Sequence, residues 1–223
     1  MSKFSEKIHT PGLFSVLVEF TCPAGQPPKK IIEFLNTYEG KKPKWDGMEI
    51  VGITVTQNPS GVVTAAPTDV IAHILLNGGL RGLSYVPHVS VKGMNSSDVD
   101  TFLKGLLSYG VEDCFIVTGD NPATGKPVFE MDSLSLLMKI RKDNAEARLK
   151  AGPGKKAQTL YTGAAVGLAK YEEGSCLQQM IKMEKKALAG GAGFFITNLI
   201  FDVRKVEDLF RYIRERNLDI AVF

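Results

Sequence analysis

One unit recurs along the chain: a short apolar run, a polar or glycine-bearing turn, then a helix-length amphipathic stretch. The apolar runs are Ser15–Phe20, Glu49–Thr56, Ser84–Val91, Asp113–Thr118, Gln158–Ala165, Gly193–Asn198 and Leu218–Phe223. Between them, apolar residues fall at helical spacing over about Lys29–Tyr38, Pro67–Asn77, Ser97–Ser108, Met131–Lys142, Glu172–Ala189 and Val203–Arg216. Asn95-Ser-Ser supplies cap chemistry before the third of these, and glycines close others at Gly78-Gly79, Gly110 and Gly190-Gly191. Strands that alternate with helices pair in parallel through right-handed crossovers. Strands apolar at most positions belong in a sheet covered on both faces.

A doubly wound sheet and a barrel both satisfy this pattern. The barrel is favoured because no glycine-rich dinucleotide fingerprint follows the first strand. Polar residues also recur at the C-terminal strand ends, where a barrel builds its site. The expected fold is α/β, a (β/α)8 TIM barrel truncated after the seventh strand. It is expected to be one domain over residues 1–223 that lacks its last βα units, about 60–100 residues on the usual unit size. The other way to close such a barrel is a partner chain that supplies the missing wall, since an open edge exposes strand and core.

Composition narrows the function. The net charge of +3 is weak and no basic stripe interleaves with aromatics, so nucleic acid is not the expected partner. Cys22, Cys114 and Cys176 have no metal-ligand spacing, and no metal is expected. A sparse, odd set of cysteines suits a reducing compartment. No signal peptide is apparent, and no apolar run reaches the roughly 20 residues of a membrane span. The cytoplasm is the expected location.

The chemistry-bearing residues collect at the strand ends. Strand one offers Glu19 and strand four offers Thr118, Gly119 and Asp120. A carboxylate at the end of an apolar run is costly to bury, and burial raises its pKa. The two carboxylates therefore suggest one active-site rim. Strand two offers Thr54, Thr56, Gln57 and Asn58, strand three His88, and strand six Thr197 and Asn198. Strand five offers the small run Gly163-Ala-Ala165, which would let a flat ligand approach the backbone. Each has a plainer reading: a core histidine, ordinary strand threonines, turn residues at Asp120-Asn121, a helix cap at Asn198. Their coincidence at one end of six strands favours a polar pocket. Lys150-Ala-Gly-Pro-Gly-Lys-Lys156 reads as a solvated loop and only weakly as a phosphate site.

From Glu19 to the last residue the chain resembles the 5,10-methylenetetrahydrofolate reductase family. The resemblance is carried by Val18-Glu-Phe, by Thr54-Val-Thr-Gln-Asn-Pro59, and by Pro87-His88 followed by Val117-Thr-Gly-Asp120. Gly125-Lys-Pro-Val-Phe-Glu-Met-Asp-Ser133 and Ala189-Gly-Gly-Ala-Gly-Phe-Phe-Ile-Thr-Asn198 extend it. The Lys-Pro-Val-Phe-Glu-Met-Asp-Ser segment is more similar to the acetogen and archaeal branch than to the enteric type.

The resemblance implies a flavin across the strand ends that passes a hydride to methylenetetrahydrofolate. It implies that Glu19 is the general acid that opens the folate imidazolidine ring, and that Asp120 lies by the flavin pyrimidine edge and the pterin. The implied flavin contacts are Thr56, His88, Val117, Thr118, Gly119, Asp120, Met131, Asp132, Ala164, Val166 and Lys186. Glu19, Asp120 and Asn198 are the implied folate contacts, Asn198 standing where the family has a longer glutamine. A tyrosine and a histidine that the family places after strand five are replaced by Val166-Gly-Leu-Ala-Lys170. The cofactor is expected to be FAD rather than FMN. The electron donor is NAD(P)H or a partner protein, and the chain is expected to act as a homo-oligomer or within a hetero-complex. The alternative reading is a non-catalytic folate- or flavin-binding barrel subunit of a larger reductase complex. A third is an unrelated barrel that uses Glu19 and Asp120 for aldol or isomerase chemistry.

Overall fold

A computed structural model describes residues 2–40, 47–168 and 174–223. The recurring apolar runs form β1 (Phe14–Phe20), β2 (Met48–Val55), β3 (Ser84–Ser90), β4 (Asp113–Val117), β5 (Tyr161–Val166), β6 (Phe194–Thr197) and β7 (Ala221–Val222). They lie in sequence order, β1 to β7, in one sheet, and each pair is parallel. The helices between them are α2 (Lys29–Gly40), α3 (Pro67–Leu76), α4 (Ser96–Ser108), α5 (Ser133–Ala151), α6 (Cys176–Leu188) and α7 (Val203–Glu215). Seven parallel strands alternating with helices make the fold a TIM-barrel type, as expected. No described helix is long and apolar enough to cross a membrane.

The sheet separates two cores, and period two sorts side chains between them. Outward positions such as Ile53, Val89 and Ile116 pack under the helices. There α3 contributes Val70, Ile71 and Ile74, and α5 contributes Leu136, Leu137 and Ile140. Full burial of each such side chain is worth roughly 1.5–3 kcal/mol. Inward positions Leu17, Val86, Phe115, Tyr161 and Phe194 form a second cluster, so the sheet curls around them.

An unexpected element closes the base of that inner cluster. Helix α1 (Lys3–Ile8) precedes the first strand, and its Phe4 is fully buried. The Phe4 ring packs at 5.1 Å from Phe194 and 6.1 Å from Phe223. Ser2 caps the helix by accepting from the Ser5 N–H, and its hydroxyl donates to the buried carboxylate of Asp113 at the start of β4. A six-residue helix has too little periodicity to stand out in a sequence.

Several boundaries differ from expectation. Helix α5 extends nine residues past Lys142 to Ala151, held by Lys139–Asp143 and Lys142–Glu146 ion pairs at (i, i+4) spacing. Strand β5 starts at Tyr161 rather than Gln158, because the Asn144 side chain takes both backbone groups of Leu160. Helix α6 starts at Cys176, capped by Ser175; the expected start at Glu172 lies outside the described residues. The expected cap at Asn95 is present as a reciprocal capping box with Asp98.

Candidate active site

The inward alternation decides which side chains reach the mouth of the barrel. On β1 it steps from Leu17 to Glu19, and on β3 from Val86 to His88. On β4 it steps from Phe115 to Val117, and β6 runs from Phe194 through Ile196 to Asn198 just beyond its end. Glu19, His88, Val117 and Asn198, with Thr56, Thr118, Gly119, Asp120, Val166 and Lys186, line one cleft of about 690 Å³. That size suits a small-molecule site. The two strand-end carboxylates are thus brought to the same cavity.

Glu19 and His88 form its floor. Glu19 Oε2 lies 3.5 Å from His88 Nε2, and the imidazole is 12% exposed against 55% for the carboxyl. The ring packs against Phe115 with centroids 4.8 Å apart. Its Nε2 is buried without a hydrogen-bond partner. Burial pushes the imidazole pKa down to about 4, so the ring is neutral at neutral pH. Burial also pushes the Glu19 carboxyl up. Asn198 Oδ1 and Thr54 Oγ1 are likewise buried and unpartnered. Asn198 is not the cap of the next helix; that position belongs to Asp202, which accepts from the Arg204 N–H.

The rim is stitched by backbone contacts. Asp120 Oδ2 accepts the Ser60 N–H at 2.9 Å, and Gly61 O accepts the Ala123 N–H at 2.9 Å. Asn58 and Ser60 adopt left-handed φ of 48° and 54° to make that turn. Gly119 has φ +84°, and a Cβ there would collide with Ser90 Oγ. Its smallness therefore has a backbone cause. Thr56 and Thr21 share a hydrogen bond at 2.8 Å, and Lys186 Nζ donates to the Ala165 carbonyl at 3.0 Å.

Three expected contacts lie elsewhere. Ala164 faces the helix layer, since period two turns Ala165, not Ala164, into the cleft. Asp132 caps α5 through the Ser135 N–H and hydroxyl, which hold its carboxyl below the usual range. Met131 packs against the helix-facing core. Gly163 is small to admit the Phe194 ring, which a Cβ would strike, rather than a flat ligand. Ala169 and Lys170 lie outside the described residues.

The structure adds Lys92 and Gln179 to the lining. Lys92 directly follows β3 and Val91, and a cation just past a barrel strand was the available signal for it. Cys22 is a buried free thiol in the helix-facing core, outside this cleft.

A family model for methylenetetrahydrofolate reductase matches residues 5–223. The chain belongs to the methylenetetrahydrofolate reductase family. No curated protein matches it. Among solved structures, 2,3-dimethylmalate lyase, a member of the PEP mutase/isocitrate lyase superfamily, aligns with TM-score 0.57 at 7% identity. That alignment covers 100% of this chain and 80% of the other. A Coccidioides immitis protein assigned as a deoxyribose-phosphate aldolase aligns with TM-score 0.54 at 8% identity, over 100% of this chain and 73% of its own. At such identities the likeness concerns the fold alone. The family match covers every residue of the cleft, from Glu19 to Asn198.

Proposed function

We propose that the chain reduces 5,10-methylenetetrahydrofolate to 5-methyltetrahydrofolate at this cleft, with a bound flavin, and with Glu19 as the acid. The observation that carries the reading is Glu19 itself: a carboxyl whose pKa burial raises, in a family-matched chain, beside an unpartnered imidazole nitrogen.

The residues present fit a flavin. The cleft offers polar groups for the edge of a heterocycle, and Asn198 Oδ1 is buried there without a partner. Thr56, His88, Val117, Thr118, Gly119, Asp120, Val166 and Lys186 would hold it, and Lys92 and Lys182 add positive charge suited to its phosphates. FAD is favoured over FMN. When bound, the flavin supplies the hydride.

The chain's own residues handle the proton and the pose. The Glu19 carboxyl gives its proton to a nitrogen of the imidazolidine ring as the ring C–N bond breaks, leaving a carboxylate on Glu19 and an iminium on the folate. Burial raises the carboxyl pKa and so favours the protonated form that the step needs. Asn198 orients the pterin through its amide, and Asp120 holds the loop over the opposite edge. The donor of electrons is NAD(P)H or a partner protein.

The test is an absorption spectrum of the purified protein, with the released flavin identified by chromatography, followed by folate reduction under single turnover. A flavin spectrum and methyltetrahydrofolate formation support the reading. A protein that takes up no flavin from solution and reduces no folate leaves the non-catalytic subunit as the better reading.

A further inference from the structure

We infer that His88 is a positioning residue for Glu19: its Nε2 accepts the carboxylic proton of Glu19, while the imidazole proton sits on Nδ1. This rests on the reading of Glu19 as the acid.

The geometry comes from the sheet. Glu19 is opposite Thr54 on β2, and Thr54 is opposite Val86 on β3. His88 is one inward step beyond Val86. The Glu19 carboxyl therefore reaches over the middle strand to the ring. Its Oε2 stands 3.5 Å from Nε2, and a small rotation of this half-exposed side chain closes the gap to hydrogen-bond distance. The ring itself is held by Phe115. Leaving a buried ring nitrogen without a partner is costly, and no other hydrogen bond satisfies this one.

Three proton arrangements are conceivable. An imidazolium–carboxylate pair is disfavoured, because burial pushes the two groups toward their neutral forms. A carboxylate that accepts from Nε2–H would stabilise the ionised acid, against the same pressure of burial. The neutral acid donating to Nε2 satisfies the buried nitrogen without creating charge. Nδ1 is not among the buried unpartnered atoms, so a proton there is not left buried without a partner. Lys92, Asp120, Lys182 and Lys186 face the same cleft and bias both groups together. Asp120 already accepts from Ser60.

The test uses the flavin-free full chain with labelled histidine and glutamate carboxyl groups. Nitrogen NMR at neutral pH is expected to show the Nδ1–H tautomer for His88. His88→Asn, whose amide stops short of Glu19, is expected to lower the Glu19 titration midpoint. His88→Gln, whose side chain reaches the place of Nε2, is expected to restore part of the shift. In the flavin-loaded protein, His88→Asn should slow folate reduction about tenfold, the worth of one neutral hydrogen bond. KM for folate should change little, and the limb of the pH profile set by the acid should move to lower pH. An Nε2–H tautomer, or a Glu19 midpoint that His88→Asn leaves in place, overturns the inference. The NMR measurements need neither flavin nor folate, so they stand or fall apart from the proposed reaction. A chain that reduces no folate but shows the Nδ1–H tautomer and the shift refutes the reaction and keeps the pairing.

Discussion

Ser60 donates its backbone N–H to Asp120 Oδ2 across 2.9 Å, joining the loop after β2 to the loop after β4. The carboxylate thus has a structural role beside its place in the cleft. Asp120→Asn keeps an oxygen that can accept this bond, whereas Asp120→Ala removes it. Amide exchange at Ser60 is expected to stay near the parent rate in the first variant and to rise about tenfold in the second. Equal exchange in the parent and in Asp120→Ala would show that the loops hold together without this bond.

Glu19→Gln preserves the shape of the side chain and removes its transferable proton. Flavin uptake should be retained, since the carboxyl is assigned to the folate. Single-turnover reduction of methylenetetrahydrofolate is expected to slow by about 100-fold or more, the usual scale of a lost general acid. A normal rate in this variant would refute the assignment of Glu19.

The order of strands was legible because each reads as an apolar run, and β2 to β6 are largely buried. The rim was legible too: Glu19, His88, Val117 and Asn198 are inward positions at strand ends, and alternation places them together. What alternation could not supply was its own phase on β5. After Tyr161 and Thr162 the strand runs Gly163-Ala-Ala-Val166, small and apolar throughout, so Ala164 and Ala165 look equivalent in the sequence. Only packing separates them, with Ala164 under the helices and Ala165 in the cleft. The Glu19–His88 approach was equally out of reach, because it joins side chains of strands separated by β2. Helix α1 escaped notice since its role depends on one ring, Phe4, meeting residues more than 150 positions away.

Gly163 tests the distinction between a ligand cradle and a packing gap. A methyl group there would strike the Phe194 ring in the inner core. Gly163→Ala is expected to destabilise the fold by about 1–3 kcal/mol, as overpacking does, measured by urea unfolding. A variant of unchanged stability but impaired flavin uptake would return Gly163 to the ligand site.

Asp113 gives the base of the barrel a pH dependence. Burial, opposed by the hydroxyl of Ser2 and aided by Glu112, raises its carboxyl to about 7. In the unfolded chain the same group ionises near the ordinary value of about 4. Between those values unfolding releases a proton, so stability falls as pH rises, by up to about 1.4 kcal/mol per unit. Below about pH 4 and above about pH 7 this contribution becomes flat. Asp113→Asn keeps an oxygen that can accept from Ser2 and removes the ionisation. Its stability, followed by urea unfolding from pH 4.5 to 8, should lose this part of the slope and exceed the parent's above pH 7. A variant that retains the parent's full slope would place the titrating group elsewhere and leave Asp113 ionised in the folded chain.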